Sequence, residues 1–264
     1  MLALYHNPMS SASQKVRLCL AEKGLEWTGH IVNLRAGEQQ SESYLKLNAR
    51  GVVPTLIDDD VVIPESTVIN EYLEQKYPEV ALMPAAANER AKVRLWTKQV
   101  DDSLHDLGIA VLAFAVAFRP GALAAGDAAL AQINKIPDIF KRERRRDLLV
   151  HGMESMHFRG GLMRLRQMLQ EMNAALADTP WLVGQSLTLA DLSLVPYVLR
   201  MRELGLGGLI GEHRNVSAWF ARCELRPSFG KAVVSFQDEA ALKMMAAAGE
   251  TASPKIKDML DGAA

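Results

Sequence analysis

Val53-Pro54-Thr55-Leu56, followed by Pro64-Glu65-Ser66-Thr67, says more about this chain than any other stretch. Proline has no N–H to give a β-ladder, so inside a sheet it belongs at a strand's first residue or at an edge. A cis bond at such an X–Pro step turns the preceding residue's N–H and C=O outward, where they can pair with a peptide-like ligand. Glu65-Ser66 then falls where a helix begins, and the N–H groups of a helix's first turn are ready donors for a carboxylate. Each signal is weak alone; at this spacing they support one another.

Working outward, Leu2 to His6 is a short strand candidate that ends at the turn signal Asn7-Pro8. Ser10 to Ser13 offer hydroxyl N-caps for a helix carrying Val16, Leu18, Leu20 and Ala21, and Gly24 stops it. Leu25 to Asn33 is expected as a second strand and Val53 to Ile57 as a third. Asp58-Asp59-Asp60 turns the chain into Val61-Val62-Ile63, and a helix from Ser66 to Tyr77 follows, with Pro78 past its end. This predicts a small α/β domain over 1–80, a linker over 81–88 and an all-helical domain over 89–246. Within the latter, a long helix is expected from Glu89 to Phe118, ended by Arg119-Pro120-Gly121. A looser inserted connector is expected over about 121–147, then helices near 148–176, 189–204, 215–224 and 227–246. Residues 247–264, small and polar, are expected to form a mobile tail.

Composition narrows the class. With 264 residues, 49% apolar and 23% charged, the chain has the make-up of a soluble two-domain protein. A net charge of −1 gives no reason to expect nucleic acid or an anionic membrane as partner. The start, Met1 to His6, has neither a basic region nor an apolar run of signal-peptide length. The most apolar segment, Leu107 to Phe118, is shorter than the ~18 residues of a membrane helix and is expected to be buried in the protein. Cys19 and Cys223 are isolated, without C-x-x-C or metal-ligand spacing, so no metal is expected and a reducing cytoplasm suits the chain. Thr188-Leu189-Ala190-Asp191 is a capping box in its acidic variant, with Thr188 accepting from the Asp191 N–H and the Asp191 carboxylate reaching back to Thr188.

Together, Ser10-Ser11-Ala12-Ser13, Val53-Pro54-Thr55-Leu56, Glu65-Ser66 and Gly184 to Asp191 resemble the cytosolic glutathione S-transferases over nearly the whole chain. The resemblance implies a thioredoxin-like domain that binds glutathione, an all-helical domain, a second substrate between them and a homodimer. Leu4-Tyr5 followed by Ser10 is similar to the serine-type classes. Ser10-Ser11-Ala12-Ser13-Gln14-Lys15-Val16-Arg17-Leu18 is similar to the zeta motif, with Ala12 where that motif has cysteine. Glu65 to Glu74 and Arg94 to Asp101 resemble the bacterial lignin β-aryl etherases, which also carry an extended, basic connection after the first long helix.

The chemistry follows from the thiol. A free thiol of this kind titrates near pH 8.5, so little is anionic at neutrality. A fixed O–H donor aimed at the sulfur contributes about 1.5–3 kcal/mol, or about 1–2 pKa units. Ser10, at the strand-to-helix turn, is the first choice for that donor, Ser13 the second and Ser11 the third; the competing reading is that they only cap the helix. Thioredoxin-like redox proteins place C-x-x-C at this turn, but Ser10 and Ser13 cannot form a mixed disulfide. By the resemblance, Val53, ahead of Pro54, pairs its backbone with the cysteinyl unit. Glu65 and Ser66 take the γ-glutamyl ammonium and carboxylate, and Gln39 or Gln40 meets the glycyl end. His6 and His105 are acid–base groups by type, but a lone histidine is more often structural. The basic run 141–146 reads as a solvated face, with an anion or partner site as the alternative.

The expected activity is thiolate attack on a hydrophobic aromatic electrophile, with β-aryl ether cleavage as its etherase form. A zeta-like isomerase or general conjugating enzyme is the second expectation, and a non-catalytic binding protein of the same fold the third.

Overall fold

The structure, a computed structural model, describes residues 1–262. They group into two compact units: Met1–Lys98 with Thr179–Pro196 and Phe220–Asp238, and Gln99–Asp178 with Tyr197–Trp219 and the segment from Glu239 on.

The first unit is organised by period-two burial. In β1 (Leu2–His6) Leu2, Leu4 and His6 are buried and Ala3 and Tyr5 only partly so. β2 (Thr28–Ile31) runs parallel to β1, after the crossover helix α1 (Ser11–Glu22) that a parallel pair requires. Helix α2 (Glu42–Leu47) precedes β3 (Thr55–Asp58), which pairs antiparallel with β1, and β4 (Val61–Pro64) pairs antiparallel with β3. The sheet order is β2-β1-β3-β4. Leu4, Leu56 and Ile63 lie in register across three strands and are buried. α1 packs along α3 (Ser66–Lys76), and Val16, Leu20, Ile69 and Leu73 of these helices are almost fully enclosed. Each such side chain contributes about 1.5–3 kcal/mol of burial. The Tyr5 side of β1 is covered by Val32, Leu34, Tyr44 and Val53. This is the thioredoxin-like arrangement expected.

The expected strand over 25–33 contracts to Thr28–Ile31, because Leu25 is used to close α1. Its amide donates to Leu20 O at 2.9 Å, that of Gly24 to Ala21 O at 3.2 Å, and Gly24 sits at φ +65°, a Schellman stop. The stretch after α3 is firmly tied. The Lys23 ammonium is buried against Glu74 at 2.6 Å and donates to Tyr77 O and Val80 O; Glu74 also accepts from the amides of Leu82 and Met83.

Helix α4 (Ala87–Ala125) is long and apolar enough, by length and composition, to cross a membrane. It carries the expected Leu107 to Phe118 segment, and Val111, Leu112, Phe114, Ala115, Val116 and Ala117 within it are buried in the protein. Its turns widen to the π-helical form over Val100–Ile109 and Phe114–Phe118. Arg119-Pro120-Gly121 therefore does not end it. A regular helical segment restarts at Arg119, with Pro120 in the first-turn position where its missing N–H costs nothing.

The looser connector expected over 121–147 is largely helical. α5 (Asp127–Asn134) starts after Gly126 at φ +52°, and α6 (Ile139–His151) is capped by Asp138, whose side chain accepts from Lys141 N at 3.0 Å. The single helix expected near 148–176 is broken at Gly152, at φ +56°, where the Arg119 side chain crosses 3.0 Å from where a Cβ would be. Ser155 then caps α7 (Met156–Ala175). Next come α8 (Leu189–Glu203), α9 (Gly207–Gly211), α10 (Arg214–Glu224) and α11 (Pro227–Ala232).

The tail expected to be mobile over 247–264 is instead the second half of α12 (Glu239–Asp261); residues 263 and 264 lie outside the described residues. Ala241, Met245, Gly249, Ala252, Ile256 and Leu260 recur three or four apart and are buried as one stripe. Gly249 is obligatory, since a Cβ there would stand 1.9 Å from Leu204 O.

Candidate functional site

The β1–α1 turn is fixed by short-range polar contacts. The Met9 amide donates to Asn7 Oδ1 at 3.1 Å, the Ser10 amide to Asn7 O at 3.2 Å, and Asn7 Nδ2 to Val32 O at 3.0 Å. Ser10 is the N-cap of α1, its hydroxyl accepting from the Ser13 amide at 3.3 Å. That contact uses an oxygen lone pair. The Ser10 O–H proton is not taken by any described residue, and the side chain is partly exposed. Capping and donation to a ligand are thus compatible at Ser10. Ser13 is fully buried and its hydroxyl accepts from Asn7 N at 3.3 Å, so it faces into the turn; Ser11, the first helical residue, is also buried.

Beneath the turn lies Arg17, which falls within the zeta-like stretch but to which the sequence assigned no role. It is 1% exposed. Its guanidinium donates to Asn7 O at 3.1 Å, Pro8 O at 2.8 Å and Ala232 O at 2.7 Å, and stacks over Phe236 at 4.4 Å. Burial lowers its pKa to about 9, which leaves it charged at neutral pH. Arg17 Nη1 also lies 3.1 Å from His6 Nδ1. Burial, and then the charges of Arg17 and His30, push the His6 pKa down to about 4, so His6 is neutral at pH 7, with Nδ1 accepting from Arg17. His6 packs edge-on against Trp27 and Phe236, a structural role. His105, in the second unit, lies with Nδ1 3.0 Å from the buried Tyr197 hydroxyl.

Val53-Pro54 is a cis peptide, and Val53 lies outside the ladder, whose pairing begins at Thr55. The backbone around it is anchored by two residues that the sequence reading passed over. The Tyr44 hydroxyl donates to Val52 O at 2.8 Å and lies 3.0 Å from Thr55 Oγ1, while Asn48 Nδ2 donates to Val52 O at 2.9 Å and to Thr55 Oγ1 at 3.2 Å. All these groups but Val52 are nearly sealed from solvent, which makes such a network stiff.

Glu65 precedes α3 at φ +70°, a left-handed conformation rare for a residue with a side chain, and backbone of this kind concentrates at ligand clamps. Its carboxylate pairs with Arg50. Ser66 is the first residue of α3, buried at its N-terminus. Gln39 and Gln40 lie in a 3₁₀ turn, Glu38–Gln40, and the Gln39 Oε1 is buried without a hydrogen-bond partner.

Together these features present a half-exposed hydroxyl, unladdered backbone at Val53, an acid–hydroxyl step at a helix start and an orphaned amide oxygen. Both cysteines are buried away from such chemistry: burial raises the Cys19 pKa to about 12 and moves that of Cys223 up as well. Among the described residues no group of histidine, cysteine or acidic side chains forms a metal site.

The capping box is present with one change of partners. The fully buried Asp191 carboxylate accepts from Thr188 N, from the Thr188 hydroxyl and from Leu182 N, while Thr188 Oγ1 accepts from Ala190 N rather than from Asp191 N.

Comparison with known proteins extends the geometry. Residues 4–81 match the glutathione S-transferase N-terminal domain and residues 117–222 the corresponding C-terminal domain. A glutathione S-transferase of Arabidopsis thaliana is 30% identical over 233 residues, 87% of this chain and 94% of that one. Protein LigF of Sphingobium sp. strain SYK-6 is 45% identical over 103 residues, 38% of this chain and 40% of its own. The crystal structure of beta-etherase LigF from that strain superposes with a TM-score of 0.80 at 27% identity, covering 89% of this chain and 99% of LigF.

Proposed function

Because the chain belongs to the glutathione S-transferase family, we propose that it drives the glutathione thiolate onto a hydrophobic aromatic electrophile, specifically onto the ether-bearing carbon of a β-aryl ether. Glutathione is the family's co-substrate, and the chemistry it supplies is the nucleophile: a C–S bond forms as the C–O bond breaks, and a phenolate leaves with the bonding pair. The observation that carries the etherase reading is the likeness to the Sphingobium beta-etherase over 89% of the chain.

The protein's part is to bind, orient and polarise. Ser10 donates its free O–H to the sulfur, the N-terminus of α1 and the buried Arg17 cation add a field that favours the anion, and the turn's internal bonds hold the donor still. Val53 presents backbone beside the cis Pro54, Glu65 takes the γ-glutamyl ammonium, Ser66 takes the carboxylate, and Gln39 and Gln40 meet the glycyl end. The working form is a cytoplasmic homodimer; buried free cysteines suit a reducing compartment, and sedimentation equilibrium measures the assembly.

The test is product analysis. Incubation with glutathione and a β-aryl ether should consume one thiol per phenol released and yield the thioether. No phenol release while a simple conjugation substrate is turned over would replace the etherase reading with general conjugation, and no phenol release while a cis alkene is converted to its trans isomer with glutathione unconsumed would replace it with isomerisation.

A further inference from the structure

Helix α1 and its C-cap bury three cations, Lys15, Arg17 and Lys23. Lys23 is matched to Glu74, and Arg17 to three backbone carbonyls. Lys15 is wholly enclosed, at 0% exposure, and its ammonium donates to Thr67 Oγ1 at 2.8 Å. Thr67 is the second residue of α3, half-buried beside Ser66, so a buried positive charge rests on that helix's N-terminal turn. The position is fixed by Asn70, one turn further along α3, whose Nδ2 reaches Lys15 O at 3.4 Å and which is itself buried.

A cation is the wrong charge for that place. The N-terminus of a helix carries about half a positive charge and favours anions. Asp and Glu are the usual residues there, but the turn Ser66-Thr67-Val68-Ile69 has neither. The acid just ahead of it, Glu65, pairs with Arg50, and among the described residues its side chain makes no capping bond to α3. The first-turn N–H groups cannot bond within the helix. Lys15 therefore adds positive charge to a helix end that is already positive. Taking an ammonium out of water is itself costly, so the arrangement disfavours the empty protein and favours one with an anion at this step. Being enclosed, the charge is little screened by salt, and it acts through Thr67 without having to touch the ligand.

We propose that Lys15 is a positioning residue for glutathione: its buried ammonium, seated on Thr67, supplies the positive charge that holds the γ-glutamyl carboxylate at the first turn of α3. This rests on the binding of glutathione with its carboxylate at Ser66, as proposed above, and adds Lys15 to it. All the residues concerned belong to one compact unit.

The test is calorimetric titration of the full-length protein with glutathione and with an analogue carrying 4-aminobutyrate in place of the γ-glutamate, which lacks only that carboxylate. Wild type should prefer glutathione by about a hundredfold. Lys15→Met should cut that preference about tenfold while changing affinity for the analogue less than about twofold. Lys15→Gln, which keeps a polar N–H without the charge, should match Lys15→Met. Lys76→Gln, at the far end of α3, should leave the preference intact. A preference that survives Lys15→Met, or an affinity that falls equally for both ligands, would overturn the proposal and leave Lys15 as a brace between α1 and α3. Equal affinity for the two ligands in wild type would overturn it as well. Should the Lys15 variants fail to fold, Thr67→Val decides: loss of the seat should cut the preference about threefold or more, and an undiminished preference contradicts the proposal. Wild type that binds no glutathione would bring down the proposed function and this proposal with it, whereas a preference that survives Lys15→Met leaves the proposed function standing.

Discussion

The Asn7 amide donates to the Ser13 hydroxyl at 3.3 Å, joining the turn after β1 to the third residue of α1. Ser13 is thereby an internal staple, with its oxygen facing a backbone donor and no exposed surface. Replacing it by alanine leaves the part-buried Asn7 N–H without that acceptor, which costs about 1 kcal/mol. Ser13→Ala should lower urea stability by that amount and leave the pH at which bound glutathione ionises almost unchanged. A lost thiolate with full stability would reverse the roles of Ser10 and Ser13.

Arg17 should be the least replaceable residue near the turn. Its charged hydrogen bonds to the carbonyls of Asn7, Pro8 and Ala232 join the β1–α1 turn to the end of α11 within one unit. Arg17→Met is expected to cost about 3 kcal/mol or more, read from denaturant unfolding. Arg17→Lys should recover little, since one ammonium cannot span three diverging carbonyls.

His6 gives a pH dependence with a definite sign. Its folded pKa is about 4, below the ordinary 6.5, so the unfolded chain binds the proton more readily. Above pH 6.5 the group costs the fold nothing; as pH falls from 6.5 towards 4 it favours unfolding, by on the order of 3 kcal/mol at the bottom of that window. Denaturant unfolding at pH 7 and 4.5 should show wild type losing more stability than His6→Gln. Equal losses would mean that His6 is not buried neutral.

Tyr44 and Asn48 hold Val52 and Thr55 on either side of the cis Val53-Pro54 step. Tyr44→Phe and Asn48→Ala should therefore raise KM for glutathione several-fold, with kcat changed much less, because they loosen the binding backbone and leave the serine turn intact. Steady-state kinetics with glutathione varied would expose the opposite split.

Much of this was legible beforehand, for identifiable reasons. The alternation in Leu2–His6, the Gly24 stop, the Asp58-Asp59-Asp60 hairpin and the Pro64-Glu65-Ser66 helix start are local signals, and local geometry obeys them. The long helices were harder. Pro120 looked like a terminator because nothing in composition announces that the preceding turns widen and restart around it. The buried stripe of α12 is built partly from Ala241, Gly249 and Ala252, residues too small to stand out as hydrophobic, so the segment looked like a tail. The supports of the site were hidden for another reason. Arg17 occupies an ordinary helical position and Tyr44 and Asn48 fall at a short helix; only the tertiary fold brings them against the turn and the cis-proline loop.

Donation from Ser10 to the glutathione sulfur is read most directly in the ultraviolet difference spectrum of the protein with glutathione across pH. Thiolate absorbance should appear about 1–2 units below the free thiol's titration and return to the free value in Ser10→Ala. Bound glutathione that ionises at the free value in wild type, or a thiolate that survives Ser10→Ala, would contradict that donation.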